Sequence, residues 1–324
     1  MGVALCTRDG ARFLPAQLRS ILGQTLPVAE IVLSDDASSD GTVELARSIL
    51  AEAGPGGPAL TVLRNDPPLG VTANFEQALR ASSAPLIALC DQDDVWRPEH
   101  VRRLASRFQA RPGLLLAGSD AATIDAEGRP LGFTLFAGLE ISETEWRELR
   151  AGRGYDALLR RNLFTGATTM LRRSLLELAL PIPDSWVHDE WLAVIAAVAG
   201  EVELLPDVLT DYRQHGANQI GVQRQRLRGK LRKLALPRTE RNARLLARAA
   251  ALVPVLESLQ RQGSATPQQV EKARRKLAHE RMRSALPAQR LRRLGPVLRE
   301  LRSGAYSHYD YGLADAARDL IQPV

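Results

Sequence analysis

The sequence has few cysteines, few aromatic residues and no long apolar run. Its two cysteines, Cys6 and Cys90, each end a predicted core strand, which favours buried thiols in a reducing compartment over a disulfide framework. No apolar run approaches the roughly 20 residues that cross a bilayer. Residues 1–20 carry three arginines and no long apolar centre, so they do not resemble a secretory signal. We therefore expect a globular cytoplasmic protein.

Charge is distributed unevenly along the 324 residues. Residues 224–305 hold 22 Lys and Arg against 5 Asp and Glu, whereas the rest of the chain has a net charge of −11. Such a basic segment favours polyanions, namely phosphate-bearing ligands, anionic lipid or nucleic acid. The segment contains no Phe, Trp or Tyr to stack on bases, so we expect no nucleic-acid partner. The alternative is that its arginines form the solvated faces of helices packed on the body.

The first 120 residues alternate between short apolar runs and segments with helical spacing, a pattern typical of an α/β fold with a parallel sheet. The predicted strands cover residues 3–6, 30–33, 60–64, 86–90 and 114–119, and the predicted helices cover residues 11–22, 42–53, 71–81 and 98–110. Further strands are predicted at residues 163–171, 201–205 and 209–213. From residue 223 onward the composition favours helix.

Three carboxylates follow one apolar strand within four residues. The run Leu86–Cys90 leads directly into Asp91, Asp93 and Asp94. Carboxylates this close repel one another, and a divalent cation bound between them offsets this repulsion. Ligands of open α/β sheets bind at the carboxyl ends of the strands. Residues 7–10 and 34–40 are polar loops that follow two other strands. The pattern favours a metal site at this edge, and the alternative is an acidic, solvated turn.

Taken together, these segments resemble family 2 glycosyltransferases, the inverting nucleotide-sugar enzymes with the GT-A fold. The motifs that carry the resemblance are residues 3–10, 30–42, 91–96 (Asp-Gln-Asp-Asp-Val-Trp), 187–192 (Val-His-Asp-Glu-Trp-Leu) and 212–218 (Tyr-Arg-Gln-His-Gly-Ala-Asn), with Gly70 and Asn74. The last two motifs are similar to the branch that builds bacterial O-antigen, where rhamnosyltransferases are common. The resemblance implies a catalytic domain at 1–222, with a nucleotide-binding half at 1–120 and an acceptor-binding half at 121–222. A helical basic region follows at 223–324.

The resemblance also implies roles on the donor side. Asp93 would bind Mn²⁺ or Mg²⁺, Asp91 would face the ribose or a metal-bound water, and His215 would contact the metal or the diphosphate. Asp94 is either a further functional carboxylate or a helix cap. The residues expected to contact the nucleotide are Thr7, Arg8, Asp35, Asn74, Asp91 and Gln92.

On the acceptor side, the resemblance implies that Asp189 is the general base, with Glu190 as the alternative if the helix starts one residue later. Trp96, Gly166 and Trp191 are expected to line the acceptor site. The implied reaction moves a sugar from a UDP- or dTDP-sugar, dTDP-rhamnose among them, to a saccharide or polyprenyl-linked acceptor in cell-surface polysaccharide synthesis. Residues 224–305 would contact the anionic inner face of the plasma membrane. The alternatives are a glycoside hydrolase, which also uses paired carboxylates, and a non-enzymatic polyanion-binding protein.

Overall fold

A computed structural model describes residues 1–215 and 237–323, which divide into two compact units. Unit 1 comprises residues 1–152 and 163–215, and unit 2 comprises residues 153–162 and 237–323. Residues 153–162, assigned to the catalytic domain from sequence, thus cluster with the C-terminal helices. The end of the last motif, residues 216–218, and the start of the basic segment, residues 224–236, lie outside the described residues.

One mixed sheet forms the centre of unit 1. Its strands are β1 (Gly2–Thr7), β2 (Glu30–Asp35), β3 (Ala59–Arg64), β4 (Leu86–Asp91), β5 (Val95–Trp96), β6 (Leu114–Ile124), β7 (Pro130–Thr134), β8 (Thr169–Arg172) and β9 (Glu201–Arg213). They lie in the order β3-β2-β1-β4-β8-β6-β9-β5, and β7 pairs with β6. The first four strands in this order are parallel, as the alternating pattern predicts. The α/β fold class expected from the sequence is therefore confirmed.

The second half of the sheet departs from the simple parallel pattern. β8 lies antiparallel between β4 and β6, and β9 runs parallel to β6 with three irregularities in register. One 13-residue strand, β9, replaces the two predicted at 201–205 and 209–213. β8 is shorter than the predicted strand at 163–171, because Gly166–Thr168 forms a 3₁₀ turn immediately before it.

Nine helices precede residue 200 in the described chain: α1 (Leu14–Leu22), α2 (Thr42–Ala51), α3 (Val71–Ala81), α4 (His100–Ala110), α5 (Leu135–Gly138), α6 (Glu143–Arg150), α7 (Gly154–Arg160), α8 (Leu176–Ala179) and α9 (His188–Ala199). All except α7 belong to unit 1. The predicted helical spacing buries Leu18 and Ile21 of α1 against a core that includes Leu5 and Leu33 of the sheet. Cys6 and Cys90 are both buried free thiols. Across the described residues, no helix is long and apolar enough to cross a membrane.

Reciprocal hydrogen bonds join the loops that follow β1 and β2. The Asp9 N–H donates to Ser38 Oγ at 2.8 Å, and the Ser39 N–H donates to Asp9 Oδ1 at 2.9 Å. The Ala11 N–H donates to Asp40 Oδ2 at 3.0 Å. Asp9 has a φ of 46°, a left-handed conformation that Asp tolerates because its short side chain bonds locally. These contacts order the carboxyl edge of the parallel strands.

Unit 2 is helical, as the sequence predicts for the C-terminal region. With α7, it contains α10 (Thr239–Arg261), α11 (Pro267–Ser284), α12 (Arg290–Arg302), α13 (Ala305–Tyr309) and α14 (Leu313–Ile321). Its interior is strongly ionic. Arg283 is fully buried and donates to Asp319 and Asp310, each at 2.7 Å, and to Glu280 at 3.2 Å. Some of the basic charge thus lies inside the unit and is matched by buried carboxylates.

His279 lies in this ionic interior. Its Nδ1 is 2.6 Å from a Glu300 carboxylate oxygen, and its Nε2 is 2.9 Å from one of Asp310. Two acceptors require both ring nitrogens to carry protons, so the ring is an imidazolium. Burial lowers the pKa of His279, but the hydrogen bonds and charges of Asp310 and Glu300 outweigh burial and the Arg283 charge, so its pKa is raised. The edge of the ring packs on Tyr306.

We predict that His279→Gln lowers the free energy of unfolding by about 1–3 kcal/mol near pH 6 and by less near pH 9. A raised native pKa stabilises the fold fully below the unfolded value of about 6.5, and this contribution is lost as pH rises through the native pKa. Urea unfolding of both proteins at several pH values measures the difference. His308→Gln, at an exposed histidine, is the control. An equal loss at pH 6 and pH 9 would contradict the buried imidazolium.

Candidate active site

The acidic loop after β4 meets the chain that follows β9. Asp93 Oδ2 lies 2.7 Å from His215 Nε2, and each side chain is 13% exposed. The His215 ring stacks on Phe13, with ring centres 4.8 Å apart. These residues are 122 positions apart in sequence. β9 brings them together because it also pairs with β5, the short strand directly after the loop.

Arg213 fixes the conformation of the acidic loop. Its backbone N–H donates to Asp94 Oδ1 at 2.8 Å, and its Nε donates to the Asp93 carbonyl at 2.7 Å. Its Nη1 donates to the carbonyls of Asp125 and Ala126, both at 3.2 Å. No role was expected for Arg213 from the sequence. Its position two residues before His215, in the same motif, is the feature that points to such a role. Asp94 is therefore held by Arg213 and does not cap α4, which starts at His100.

Negative charge is concentrated at this edge. Burial, followed by the charges of Asp93 and Asp189, raises the pKa of Asp91 to about 7. Burial and the charges of Asp93 and Asp91 raise the pKa of Asp94 well above its usual value, despite the Arg213 contacts. Asp94 Oδ2 is buried and has no hydrogen-bond partner among the residues that the structure describes. Carboxylates in such a cluster favour a nearby cation.

Asp93 and His215 fit a divalent ion as a pair of protein ligands. Within residues 1–215 and 237–323, no three His, Cys, Asp or Glu side chains are arranged to hold a metal by themselves. Adjacent ligands of an octahedral ion, each about 2.1 Å from it, lie about 3 Å apart. The 2.7 Å separation of Asp93 and His215 is close to that value. Carboxylate and imidazole donors suit Mn²⁺, and two protein ligands leave positions for phosphate and water.

The ends of β1 and β2 form the neighbouring part of the edge. Asp35 is buried and accepts hydrogen bonds from Thr7 Oγ1 at 2.8 Å, from Ser38 Oγ at 2.5 Å and from the Ser38 N–H at 3.0 Å. Arg8 extends an exposed side chain from the end of β1. Gln92 accepts from the Arg8 N–H at 2.8 Å and donates to the Arg8 carbonyl at 2.9 Å. Gln92 thus aligns the β1 end with the acidic loop.

Asn74 and Asp36 hold the start of α3. The Asn74 amide is buried and bonds to Ser34 Oγ at 2.6 Å and to the Ser34 carbonyl at 2.9 Å. The amide therefore forms hydrogen bonds in the protein interior, whereas a contact with the nucleotide is expected from the sequence. Asp36 accepts from the Leu69 N–H at 2.6 Å and the Gly70 N–H at 3.0 Å. Gly70 has a φ of 84°, a conformation that favours glycine.

Asp189 lies in the first turn of α9. It is buried, and its two oxygens accept from the Gly166 N–H at 3.1 Å and the Glu190 N–H at 2.6 Å. Its charge contributes to the raised pKa of Asp91, so Asp189 lies within electrostatic reach of the acidic loop. Glu190 is half-buried one position further along α9.

His188, directly before Asp189, is a buried neutral histidine. Burial lowers its pKa to about 3, and its ring stacks on Phe75 with centres 3.9 Å apart. Neither ring nitrogen has a hydrogen-bond partner within residues 1–215 and 237–323. A Cβ added to Gly166 would lie 2.9 Å from His188 Nε2. Only glycine therefore fits beside this ring while its N–H bonds to Asp189.

The structure places both tryptophans expected at the acceptor site in the core. Trp191 is 0% exposed, and its Nε1 donates to the Ala179 carbonyl at 2.6 Å. Trp96 is also buried and stacks on His100. Both rings belong to the core, because helical and strand spacing directs them inward, and neither has a face available to a sugar. Of the three expected acceptor residues, only Gly166 lies next to Asp189.

Solved structures identify the fold. The structure is similar to residues 1–349 of S. aureus TarS, solved in complex with UDP-GlcNAc (TM-score 0.59, 13% identity, covering 98% of this chain and 89% of that one). It is also similar to the mannosyltransferase PcManGT from Pyrobaculum calidifontis, solved in complex with GDP-Man and Mn²⁺ (TM-score 0.51, 21% identity, covering 98% and 78%). The fold is thus that of GT-A glycosyltransferases.

Sequence comparison identifies the family. Residues 3–177 match glycosyl transferase family 2, and the chain belongs to this family, as the motifs predict. An uncharacterized protein of Mycobacterium tuberculosis strain H37Rv is 29% identical over 192 residues, which cover 57% of this chain and 50% of that protein. An uncharacterized glycosyltransferase of Nostoc sp. is 27% identical over 232 residues, covering 67% and 66%. The chain thus spans about half to two thirds of the length of these relatives.

We predict that Gly166→Ala destabilises unit 1 by about 1–3 kcal/mol, because the added methyl group contacts His188 Nε2 in a packed interior. Urea unfolding measures this loss. Combining it with His188→Ala should cost less than the sum of the two single changes, since the clash is relieved. Gly56→Ala is the control, because nothing lies within 4 Å of a Cβ there. Additive losses would contradict the contact.

Proposed function

We propose that this chain is an inverting glycosyltransferase that uses a divalent cation and a nucleoside diphosphate sugar. The observation that carries the proposal is the approach of Asp93 to His215, 2.7 Å apart at the carboxyl edge of the parallel strands. Membership of glycosyltransferase family 2 supports the reaction class. The sugar nucleotides bound to TarS and PcManGT, with Mn²⁺ in the latter, support the donor class and the cation.

The residues at this edge of the sheet would have different roles in the reaction. Asp93 and His215 would hold Mn²⁺ or Mg²⁺, which stabilises the charge that develops on the leaving diphosphate. Arg213 keeps the acidic loop in place for these two residues. Thr7, Arg8 and Asp35 lie at the neighbouring strand ends, where the nucleoside would bind. Asp91 ends β4, where it pairs with Cys6 of β1, and would face the ribose or a metal-bound water.

Asp189 would remove the proton from the attacking acceptor hydroxyl. The Gly166 and Glu190 N–H groups orient its carboxylate, and N–H donors of this kind stabilise the ionised form that a base needs. Glu190 is the alternative base. We propose a UDP- or dTDP-sugar as donor, with dTDP-rhamnose as the first candidate. The proposed acceptor is a saccharide or polyprenyl-linked saccharide in cell-surface polysaccharide synthesis, reached from the cytoplasmic face of the membrane.

We predict that Asp93→Asn and His215→Gln each abolish the part of UDP or dTDP binding that depends on Mn²⁺, because each removes one of two protein ligands. Calorimetric titration with each nucleotide, with and without Mn²⁺, measures this effect. GDP serves as a comparison for base preference. Asp184→Asn, at an exposed carboxylate, is the matched control. Absence of binding to any nucleotide by the wild-type chain would overturn the proposed function.

We predict that Asp189→Asn retains nucleotide affinity and loses about 10²- to 10⁴-fold in transfer rate, the usual contribution of a general base. Transfer is measured by nucleotide release with a saccharide acceptor after the donor has been identified by screening nucleotide sugars. Glu190→Gln is the matched variant one residue away. A larger loss with Glu190→Gln would assign the base to Glu190.

A further inference from the structure

One face of α12 exposes a row of leucines to solvent. Leu291 is 83% exposed, Leu294 is 44% exposed and Leu298 is 45% exposed. At 3.6 residues per turn, these three positions fall within about 60° around the helix axis. Val297 and Arg293 point away from the leucines, at about 90° and 130° from their centre around the helix, and are buried, so the packed face of α12 is already occupied. The leucines therefore form a second apolar face that unit 2 leaves uncovered.

Arginines flank this leucine face on both sides. Arg290 lies next to Leu294 around the helix, and Arg302 lies next to Leu291 on the other side of the leucines, followed by Arg299. These three arginines are exposed, and none forms an ion pair with a described residue. The single acidic residue of α12, Glu300, bonds to buried His279 instead. The exposed face thus combines apolar side chains with uncompensated positive charge.

We propose that this face of α12 docks on an anionic lipid bilayer. Helices that lie in a membrane interface bury an apolar face below the headgroups while arginines reach anionic phosphates above it. Each exposed arginine adds attraction to anionic lipid. Docking on nucleic acid is disfavoured because phosphates would leave the three leucines in water, and α12 has no aromatic side chain for stacking.

The sequence predicts a membrane contact for residues 224–305, and the proposal assigns this contact to α12 alone. It does not rest on the enzymatic proposal, because the contact depends only on groups of unit 2. Arg283 and Arg293 are buried and do not take part. Of the basic residues in unit 2, the proposal therefore assigns lipid binding to those on the leucine face.

Sedimentation of the full chain with lipid vesicles tests the proposal. We expect tighter binding to phosphatidylcholine vesicles that contain about 30% phosphatidylglycerol than to phosphatidylcholine alone, and weaker binding at high salt. Replacing all three leucines by Gln should reduce vesicle partitioning about tenfold or more, since the apolar contribution is lost. Leu131→Gln, at an exposed leucine of β7, is the matched control and should bind normally.

A charge variant separates the two contributions. Arg290→Gln with Arg302→Gln should reduce binding several-fold and weaken its salt dependence, whereas Arg19→Gln with Arg47→Gln, at exposed arginines of unit 1, should not. All variants should keep wild-type thermal stability and nucleotide affinity. Wild-type vesicle binding by the leucine variant would overturn the proposal. A leucine variant that differs from the wild type in molar mass by light scattering, but binds vesicles equally well, would also overturn it. Failure of nucleotide binding alone would overturn only the proposed enzymatic function.

Discussion

The parallel register of β1, β2 and β4 is the constraint on which the candidate active site depends. It pairs Thr7 with Asp35, and Cys6 with Asp91, so that the polar ends of three strands lie at one edge. A slip of one residue would turn the side chains of a strand to the other face of the sheet. The Thr7–Asp35 hydrogen bond would then be lost. The loop contacts through Asp9 and Gln92 order the same edge from outside the strands.

Four interacting carboxylates lie at this edge: Asp91, Asp93, Asp94 and Asp189. Arg213 contacts the acidic loop twice: its Nε donates to the Asp93 backbone carbonyl, and its backbone N–H donates to a carboxylate oxygen of Asp94. Burial and, second to it, repulsion from the neighbouring carboxylates raise the pKa values of Asp91 and Asp94. A cation bound at Asp93 and His215 would reduce that repulsion and attract a diphosphate. The cluster of carboxylates therefore accounts both for the raised pKa values at this edge and for the proposed binding of a cation there.

Arginines that lie close together in the sequence of unit 2 differ in whether they are buried or exposed. Arg283 and Arg293 are buried and are held by carboxylates and carbonyls, whereas Arg292 and Arg299 face solvent. Burial of an arginine costs solvation free energy, which Asp319, Asp310 and Glu280 offset for Arg283. Net charge alone therefore overstates the basic surface of this unit. The helix face, rather than the composition, determines which charges can meet a partner.

Much of the nucleotide-binding half could be predicted, because its apolar runs and helical spacing are local patterns. The strands at 3–6, 30–33, 60–64 and 86–90 each agree with the structure to within a few residues. The second half could not be predicted equally well, since β8 and β9 obtain their partners from distant segments. Trp191 illustrates the difficulty at the level of one side chain. Its sequence position beside Asp189 suggested a sugar contact, but the helix turns the ring into the core.

The sequence by itself determined the alternation of strands and helices, the carboxylates at the end of β4 and the family to which the chain belongs. These features depend on local periodicity and on short motifs. Tertiary structure alone decided which carboxylate bonds to which partner: Asp93 to His215, Asp94 to the Arg213 N–H and Asp189 to the Gly166 N–H. The physical reason is that hydrogen-bond partners and desolvation come from residues far apart in the chain. Only the folded arrangement brings them within bonding distance.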